Sequence, residues 1–295
     1  MVQFGKLYHP PDCLHLTQNG GHALPGASTQ ARPHRLAGVR TGHERNVSAR
    51  VSVVVPARNE KGRIGKVLAA IRGAAPAGTE IIVVDDASTD GTAKEASQTA
   101  NVMVVPAAGG QHGKGTALLT GISAATGAVV LTCDADLGTL DAGLLFEMAG
   151  VLMEKPEISL VKARYRSEDS ISGFGGGRVT ELVAKPLLEL FFPDLASLGS
   201  PLAGEMALRR KDALHIGLEP GYGVDIGFAI DIAKARGRAA IAEVDMGVKH
   251  HPHQPLAQLS FQAREVAAAI LRRGLPGTAI DRALGSLASA EARLF

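Results

Sequence analysis

The sequence predicts an α/β protein built on a mainly parallel sheet, and two patterns carry that prediction. Short runs rich in β-branched residues, such as 51–56 (VSVVVP) and 80–86 (EIIVVDD), are typical of buried strands. Between these runs, apolar residues recur at the spacing of an amphipathic helix, namely Ile64, Val67, Leu68 and Ile71. Strands that alternate with helices form βαβ units, and such sheets bind ligands beyond the carboxyl ends of their strands.

The alternation continues through the first half of the chain and gives way to longer helices in the second half. Helix, strand, helix and strand are predicted in turn over 91–100, 102–105, 114–125 and 128–136. Three later helices, the first two ended by Pro193 and Gly237, are predicted over 178–192, 224–236 and 256–273. We therefore expect the ligand-binding side chains of the first half to lie directly after its strands.

The first 50 residues differ from the rest of the chain. They hold five of the ten histidines, with six basic and two acidic residues and no apolar periodicity. This composition predicts a disordered N-terminal extension over 1–50. One continuous domain is expected over 51–275, followed by a C-terminal tail over 276–295.

Composition narrows the class of protein. The 295 residues carry a formal net charge of only +2, which disfavours a duplex-binding protein, and two cysteines cannot build a disulfide framework. The uncharged stretch 115–133 contains too many hydroxyl residues and glycines for a membrane span, and the first residues lack a signal-peptide pattern. We expect a cytoplasmic enzyme with no nucleic-acid partner and no stable membrane insertion.

The sharpest chemical motif is a pair of aspartates, Asp134 and Asp136, that flank one small residue in the predicted strand end. Residues i and i+2 of a strand point to the same side, so both carboxylates are expected to face one site. Mg²⁺ and Mn²⁺ prefer oxygen ligands and often bind one or two carboxylates together with substrate phosphates. A divalent cation is therefore predicted here, with a solvated loop as the alternative.

Two glycine-containing segments of the first half offer contacts for a nucleotide. In the segment 85–92 (DDASTDGT), we expect Asp86 to contact the ligand and Asp90 to cap the following helix. The segment 109–121 fails the spacing of a P-loop. Its Lys114 nevertheless lies in a glycine-rich turn at a helix start and can contact a diphosphate or a base, with a flexible solvated turn as the alternative.

Glycines precede a predicted helix in the segment 173–177 (GFGGG) of the second half. Backbone N–H groups exposed there, together with Arg178 and Thr180, predict a site for phosphate or carboxylate. Further along, His250 and His251 are adjacent, and neighbouring residues of an extended segment point to opposite faces. At most one of the two is expected to reach a metal site, and surface histidines are the alternative.

Taken together, the motifs resemble a known family. The segments that resemble the nucleotide-diphospho-sugar glycosyltransferases of the GT-A fold are 51–60, 85–92, 113–118 and 134–136. The segments that resemble the glucosyl-3-phosphoglycerate synthases are 175–188, 201–207, 220–227 and 247–256. The resemblance implies a Rossmann-like, mainly parallel sheet flanked by helices, with a nucleotide-sugar half at 51–140 and a helical acceptor half at 141–275.

The same resemblance implies a reaction. It is a retaining, metal-dependent hexosyl transfer that moves glucose from UDP-glucose, or another nucleotide-glucose, to 3-phosphoglycerate, with Mg²⁺ or Mn²⁺ as cofactor. A related enzyme with a polyprenyl phosphate or another lipid as acceptor is the alternative. A non-catalytic sensor of nucleotide sugars fits less well, because the acidic pair, Arg178 and His251 are all present. The final helix is a candidate surface for a homodimer.

By matching position, the resemblance also implies roles for individual residues. Contacts to the nucleotide are expected from Pro56, Ala57, Glu60, Asp86, Lys114 and Asp134. The metal is expected to be bound by Asp136 and His251. The transferred sugar is expected to be surrounded by Leu202, Tyr222, Glu205 and Asp225, of which the last two are the expected catalytic acids. The acceptor is expected to contact Gly177, Arg178, Thr180 and His253.

Overall fold

The computed structural model describes residues 51–99, 102–106, 112–138, 140–166, 177–248, 256–275 and 277. The predicted extension over 1–50 and most of the predicted tail lie outside these residues. His251, His253 and the glycines of 173–176 also lie outside them.

A seven-stranded sheet forms the centre of the described fold. Its strands in chain order are β1 (Val51–Ala57), β2 (Glu80–Asp85), β3 (Val102–Pro106), β4 (Val129–Thr132), β5 (Leu160–Arg166), β6 (Met206–Arg209) and β7 (Ile241–Val248). They are arranged in the order β3-β2-β1-β4-β6-β5-β7. Neighbouring strands are parallel except where β6 pairs with β4 and β5. The predicted mainly parallel sheet is confirmed.

Helices cover both faces of this sheet. They are α1 (Ile64–Ala74), α2 (Thr92–Ser97), α3 (Lys114–Ala124), α4 (Ala142–Glu154), α5 (Lys185–Phe191), α6 (Arg210–Ile216), α7 (Val224–Arg236) and α8 (Leu256–Gly274). Alternate residues of β1 enter different apolar clusters: Val53 and Val55 pack with α1 and α4, whereas Val54 packs with α3, α7 and α8. Among the described residues, no helix is both long and apolar enough to span a bilayer.

The arrangement of the first four strands locates a crevice. From β1 the chain adds β2 and β3 on one side and then places β4 on the other side. Doubly wound sheets bind ligands at such a point, beyond the carboxyl ends of the two central strands. After β4, the Cys133 N–H donates to the Val54 carbonyl at 3.1 Å, which keeps the following acidic segment beside β1.

The predicted strand over 128–136 is too long. β4 ends at Thr132, and the Asp134 N–H is directed at the Glu205 Oε1, 3.4 Å away, rather than at a neighbouring strand. Asp134 and Asp136 therefore lie in a loop and turn, so the strand alternation that was expected to direct both to one side does not apply to them. The loop leaves Asp136 exposed and Asp134 partly buried.

The predicted helix over 178–192 is also different in its first half. A π-helix spans Thr180–Ala184, and α5 begins only at Lys185. Pro186 has no N–H to donate to a carbonyl in the preceding turn, and its ring crowds that turn, so regular α-helical bonding is interrupted there. By contrast, α3, α7 and α8 match their predicted ranges to within one residue, while α2 is shorter than predicted.

Two consecutive arginines, the last residue of β6 and the first of α6, bind the ends of two helices at a distance from the crevice. The Arg209 guanidinium donates to the Leu152 carbonyl at 2.7 Å and to two further carbonyls near the end of α4. The Arg210 guanidinium donates to the Ile122 and Ser123 carbonyls, both at 2.9 Å, near the end of α3. These bonds satisfy carbonyl groups that a helix terminus leaves without partners.

Candidate active site

A buried lysine lies between two acids at the crevice. The Lys114 ammonium, on the first residue of α3, is 2.9 Å from Asp134 Oδ1 and 2.8 Å from Asp225 Oδ2. Although burial opposes its charge, the two carboxylates hold the pKa of Lys114 well above its usual value. The contact joins α3, the loop after β4 and the first turn of α7, which are separated by up to 111 positions in the sequence.

Asp225 has one occupied and one available carboxylate oxygen. Its Oδ1 is buried and has no hydrogen-bond partner among the described residues, while Oδ2 accepts from Lys114. Burial raises the pKa of Asp225, and the positive charges of Lys114 and Lys162 counteract that effect. An unpaired buried acceptor at a crevice suits a hydroxyl of a bound sugar, because leaving it without a donor is costly.

Glu205 lies beneath the acidic loop. Its side chain has no exposed area, its Oε1 is 3.4 Å from the Asp134 N–H, and it also contacts the Tyr165 hydroxyl. Burial and the neighbouring Glu205 raise the pKa of Tyr165, so that hydroxyl stays protonated as a donor. The placement indicates that Glu205 supports the loop, and its predicted catalytic role stays a prediction.

The segment 201–205, which carries Leu202 and Glu205, is packed tightly against this cluster. A Cβ added at Gly204 would overlap both carboxylate oxygens of Asp134 and the Lys114 ammonium. The Gly204 carbonyl also accepts from the Thr132 hydroxyl at 2.6 Å. Glycine at 204 therefore lets the backbone approach the charged pair without displacing it.

The nucleotide side of the crevice has Asp86 at its centre. Asp86 is buried, and its Oδ2 accepts from the Gly113 N–H at 2.9 Å while Oδ1 lies 2.9 Å from His112 Nδ1. Arg58 adds a longer contact of 3.7 Å to the same carboxylate. As predicted, Asp90 accepts from the Thr92 N–H at the start of α2. The His112 contact was not predicted, since one histidine beside glycines has no distinctive sequence pattern.

Pro56 and Ala57 are the last two residues of β1, and Glu60 follows them and faces the acidic loop. Burial raises its pKa to about 7, Arg63 opposes the shift, and the negative charges of Asp136 and Asp134 add to it. The excess negative charge is a reason for a cation to bind here. Because Asp134 and Asp136 supply the hard oxygen donors that Mg²⁺ or Mn²⁺ prefers, these residues fit a divalent cation.

The described residues contain no group of three or more His, Cys, Asp or Glu side chains that could hold a metal. His251, which was predicted to bind the metal together with Asp136, lies outside the described residues. The aspartates alone would be an incomplete ligand set, which the oxygen atoms of a bound diphosphate are suited to complete.

The loop before α7 brings Tyr222 to the crevice and rests on two other elements. The Tyr222 N–H donates to Glu265 of α8 at 2.6 Å, and its ring meets Phe261 edge to face at 6.3 Å between centroids. On the other side, a Cβ at Gly115 would overlap the carbonyl of Glu219. The glycines of the predicted phosphate-type turn thus serve close packing between α3 and this loop.

The predicted acceptor residues lie at the start of the π-helix. Gly177 has φ +86°, Arg178 is exposed, and Thr180 is buried. The Glu181 N–H donates to the Gly177 carbonyl at 3.1 Å. The structure thus places these three residues together, whereas the remaining predicted acceptor contact, His253, lies outside the described residues.

Comparison with known proteins gives consistent matches. The family model described as glycosyl transferase family 2 matches residues 52–215. A glucosyl-3-phosphoglycerate synthase of Mycolicibacterium smegmatis is 38% identical over 236 residues, covering 76% of this chain and 77% of that protein. The synthase of Petrotoga mobilis is 35% identical over 237 residues, covering 76% and 73% of the two chains.

Solved structures agree with the sequence matches. The glucosyl-3-phosphoglycerate synthase of Mycobacterium tuberculosis, in complex with Mn²⁺, UDP and glucosyl-3-phosphoglycerate, matches with a TM-score of 0.71 and 36% identity. The match covers 78% of this chain and 82% of that one. A complex of the same enzyme with Mn²⁺, UDP-glucose and phosphoglyceric acid matches with a TM-score of 0.71 and 37% identity.

Proposed function

Because the chain belongs to glycosyl transferase family 2 and to the glucosyl-3-phosphoglycerate synthases, we propose that it transfers glucose from UDP-glucose to 3-phosphoglycerate with a divalent cation as cofactor. The observation that carries the proposal is the Lys114 ammonium held between Asp134 and Asp225 at the ligand-binding crevice of a GT-A-type sheet. One acid of this cluster faces the predicted metal and diphosphate, and the other faces the predicted sugar.

The proposed reaction exchanges one bond at the anomeric carbon of glucose. The acceptor hydroxyl oxygen forms a bond to C1, the bond from C1 to the β-phosphate oxygen breaks, and UDP departs with the electron pair. The hydroxyl proton is released to the medium. Negative charge accumulates on the departing diphosphate, so groups that stabilise it there lower the barrier.

The acidic loop is the part of the chain suited to the cation. Asp136 would hold it, with Asp134 beside it and the predicted ligand His251. A bound cation supplies positive charge that stabilises the diphosphate oxygens. The chain's own contribution is to keep this loop against β1, through the Cys133 N–H, and against Glu205.

The Lys114–Asp225 pair orients the sugar in this proposal. Lys114 occupies Asp225 Oδ2 and leaves Oδ1 as the acceptor for a sugar hydroxyl. Leu202, in the segment 201–205, and Tyr222, in the loop before α7, are the other residues that would surround the sugar. Gly177, Arg178 and Thr180 would bind the phosphate and carboxylate of the acceptor through N–H, guanidinium and hydroxyl donors.

The proposal is tested by measuring UDP release from UDP-glucose in the presence of Mg²⁺ or Mn²⁺. Release is expected with 3-phosphoglycerate, and none above the background without acceptor or after addition of a chelator. A matched pair of variants on α7 tests the site itself: Asp225→Asn should abolish turnover, and Asp231→Asn, which alters an acid paired with Arg273 instead, should not. Release that requires a polyprenyl phosphate and ignores 3-phosphoglycerate would replace the proposed acceptor.

We also propose a cytoplasmic location, since two cysteines in 295 residues fit a reducing compartment and nucleotide sugars are the expected donors. Pairing of two copies through α8 stays a prediction. Light scattering of the full chain at several concentrations measures it directly.

A further inference from the structure

A second lysine lies beneath the proposed sugar pocket and has no role in the mechanism above. Lys162, in β5, has no exposed area. Among the described residues it forms no ion pair. Its ammonium donates instead to two backbone carbonyls, that of Ala203 at 2.9 Å and that of Asp225 at 3.3 Å. A buried charge without a carboxylate partner is costly, so its position calls for an explanation.

The two carbonyls belong to the two parts of the chain that border the sugar pocket. Ala203 lies in the segment 201–205, between Leu202 and the Gly204 that touches Asp134 and Lys114. Asp225 is the acid with an unpaired buried oxygen, and its own carbonyl is the one that Lys162 binds. One ammonium group therefore spans the gap between these two parts.

Other bonds hold each part to the rest of the protein. The segment 201–205 is tied to the sheet through the Thr132 hydroxyl and through the Ala163 N–H, which donates to the Glu205 carbonyl at 2.9 Å. The side chain of Asp225 is tied to Lys114. Lys162 provides a direct link from the backbone of one part to the backbone of the other.

The charges around Lys162 are consistent with a fixed ammonium. Burial lowers its pKa to about 8, Asp225, Glu205 and Glu243 favour the charged form, and Lys114 disfavours it. The charged form has three donors, of which two are used by the carbonyls.

Building on the proposed function, we infer that Lys162 is a positioning residue for glucosyl transfer. Its ammonium sets the spacing between the segment 201–205 and Asp225, so that both meet the glucosyl group of the donor. It touches neither substrate nor cation and acts through these two backbone segments.

The test compares Lys162→Met with Arg209→Met in the full chain. Methionine keeps the length of the buried side chain and removes the charge and the donors. Arg209 is the matched control because it also donates to backbone carbonyls, but at the end of α4 and away from the crevice. Binding of UDP and of UDP-glucose is measured by calorimetry in the presence of Mn²⁺, and kcat and KM are measured by UDP release.

For Lys162→Met we expect the affinity for UDP to stay within about twofold and the affinity for UDP-glucose to fall about tenfold. The value of kcat should fall by about 10²-fold, the loss that a displacement of about 1 Å can cause in an active site. Arg209→Met should leave all of these values within about twofold. Unchanged kcat and unchanged UDP-glucose affinity in Lys162→Met would overturn the inference.

A double variant separates positioning from general destabilisation. If Lys162 acts through Asp225, Lys162→Met combined with Asp225→Asn should lose little more affinity for UDP-glucose, measured by calorimetry, than Asp225→Asn alone. Multiplication of the two losses would overturn the inference. Lys162→Gln, which keeps a donor without the charge, is measured in the same way if the methionine variant does not fold.

The binding measurements also separate this inference from the proposed function. A wild-type chain that binds UDP-glucose but does not use 3-phosphoglycerate would refute the proposed acceptor, while the calorimetric comparison would still decide the role of Lys162. A wild-type chain that binds UDP-glucose no more tightly than UDP would overturn both.

Discussion

The two sides of the crevice are held in different ways. On the nucleotide side, Asp86 and Asp90 lie in the segment after β2 and receive hydrogen bonds from backbone N–H groups, including that of Gly113. The side chains of Arg58 and His112, which also contact Asp86, are about half exposed. On the sugar side, Asp225 and the segment 201–205 are fixed by charged groups from distant parts of the chain, Lys114 and Lys162. The sugar side therefore depends on a few buried charged contacts, and single substitutions there should have larger effects.

Among these variants, the largest expected loss of stability and activity follows removal of the Lys114 ammonium, which joins the two sides of the crevice. Lys114→Met leaves Asp134 and Asp225 without their shared partner, and breaking such a buried pair costs about 3 kcal/mol of unfolding free energy. The repelling acids should also separate, so kcat should fall by about 10³-fold, a size seen when a group important in the transition state is removed.

Thermal unfolding and UDP release measure both effects. Arg236→Met is the control, because it removes the partner of a buried acid, Asp212, at the other end of α7. Equal kinetic losses in the two variants would show that stability alone explains the result, and the contrast between the two sides would not hold.

A smaller effect is expected where the backbone meets the charged pair. Gly204→Ala would place a methyl group onto the ends of the Asp134 and Lys114 side chains, so this ion pair must shift and kcat should fall by about 10²-fold. Gly150→Ala is the control, since no atom lies within 4 Å of the added methyl group. Full activity of Gly204→Ala in steady-state assays would contradict the tight packing described for this segment.

A milder effect is expected at the outer support of the sugar side. Glu265→Gln weakens the bond from the Tyr222 N–H, and a bond of about 1 kcal/mol corresponds to a rise of about fivefold in KM for UDP-glucose. Asp231→Asn loosens α8 elsewhere, at its contact with Arg273, and should leave KM unchanged. A similar rise in both variants would indicate that α8 acts only as a whole.

The smallest effect is expected on the nucleotide side, and it depends on pH. The folded-state pKa of Glu60 is raised from 4.5 to about 7, so folding favours its protonated form. The metal-free protein should therefore lose stability as pH rises from about 4.5 to 7, and Glu60→Gln should remove about 1 kcal/mol of that loss, a value reduced because the carboxyl is partly solvated. Chemical unfolding at several pH values measures it; identical slopes in variant and wild type would contradict the shift.

The sequence predicts the elements of the first half better than those of the second, where the strands β5, β6 and β7 were not predicted. Helices α3 and α7 have clear limits, since each is followed by residues that favour its end, and the buried strands β1 and β2 have unmistakable β-branched runs. The end of β4 was predicted too late because apolar residues continue past Thr132 while the backbone turns toward Glu205. The π-helix was missed because helical periodicity does not distinguish it from an α-helix.

The buried charges show why the site itself was predicted only in part. Asp134, Asp136 and Asp225 lie in motifs that the family resemblance covers. Lys162 lies in a strand whose pattern gives no reason to expect a lysine at a fully buried position, and its two partners are 41 and 63 positions away. Such contacts depend on the tertiary arrangement, which periodicity and spacing do not determine.

The close packing of α3 against the loop at 219–222 has a consequence for recombination of this fold. A Cβ at Gly113 would lie 2.7 Å from the Pro220 carbonyl, and Thr116 donates its N–H to that same carbonyl. A chimera that joined this nucleotide half to the acceptor half of a relative would therefore need a loop that also packs closely against these glycines. The glycines of one half and the loop of the other have to be chosen together.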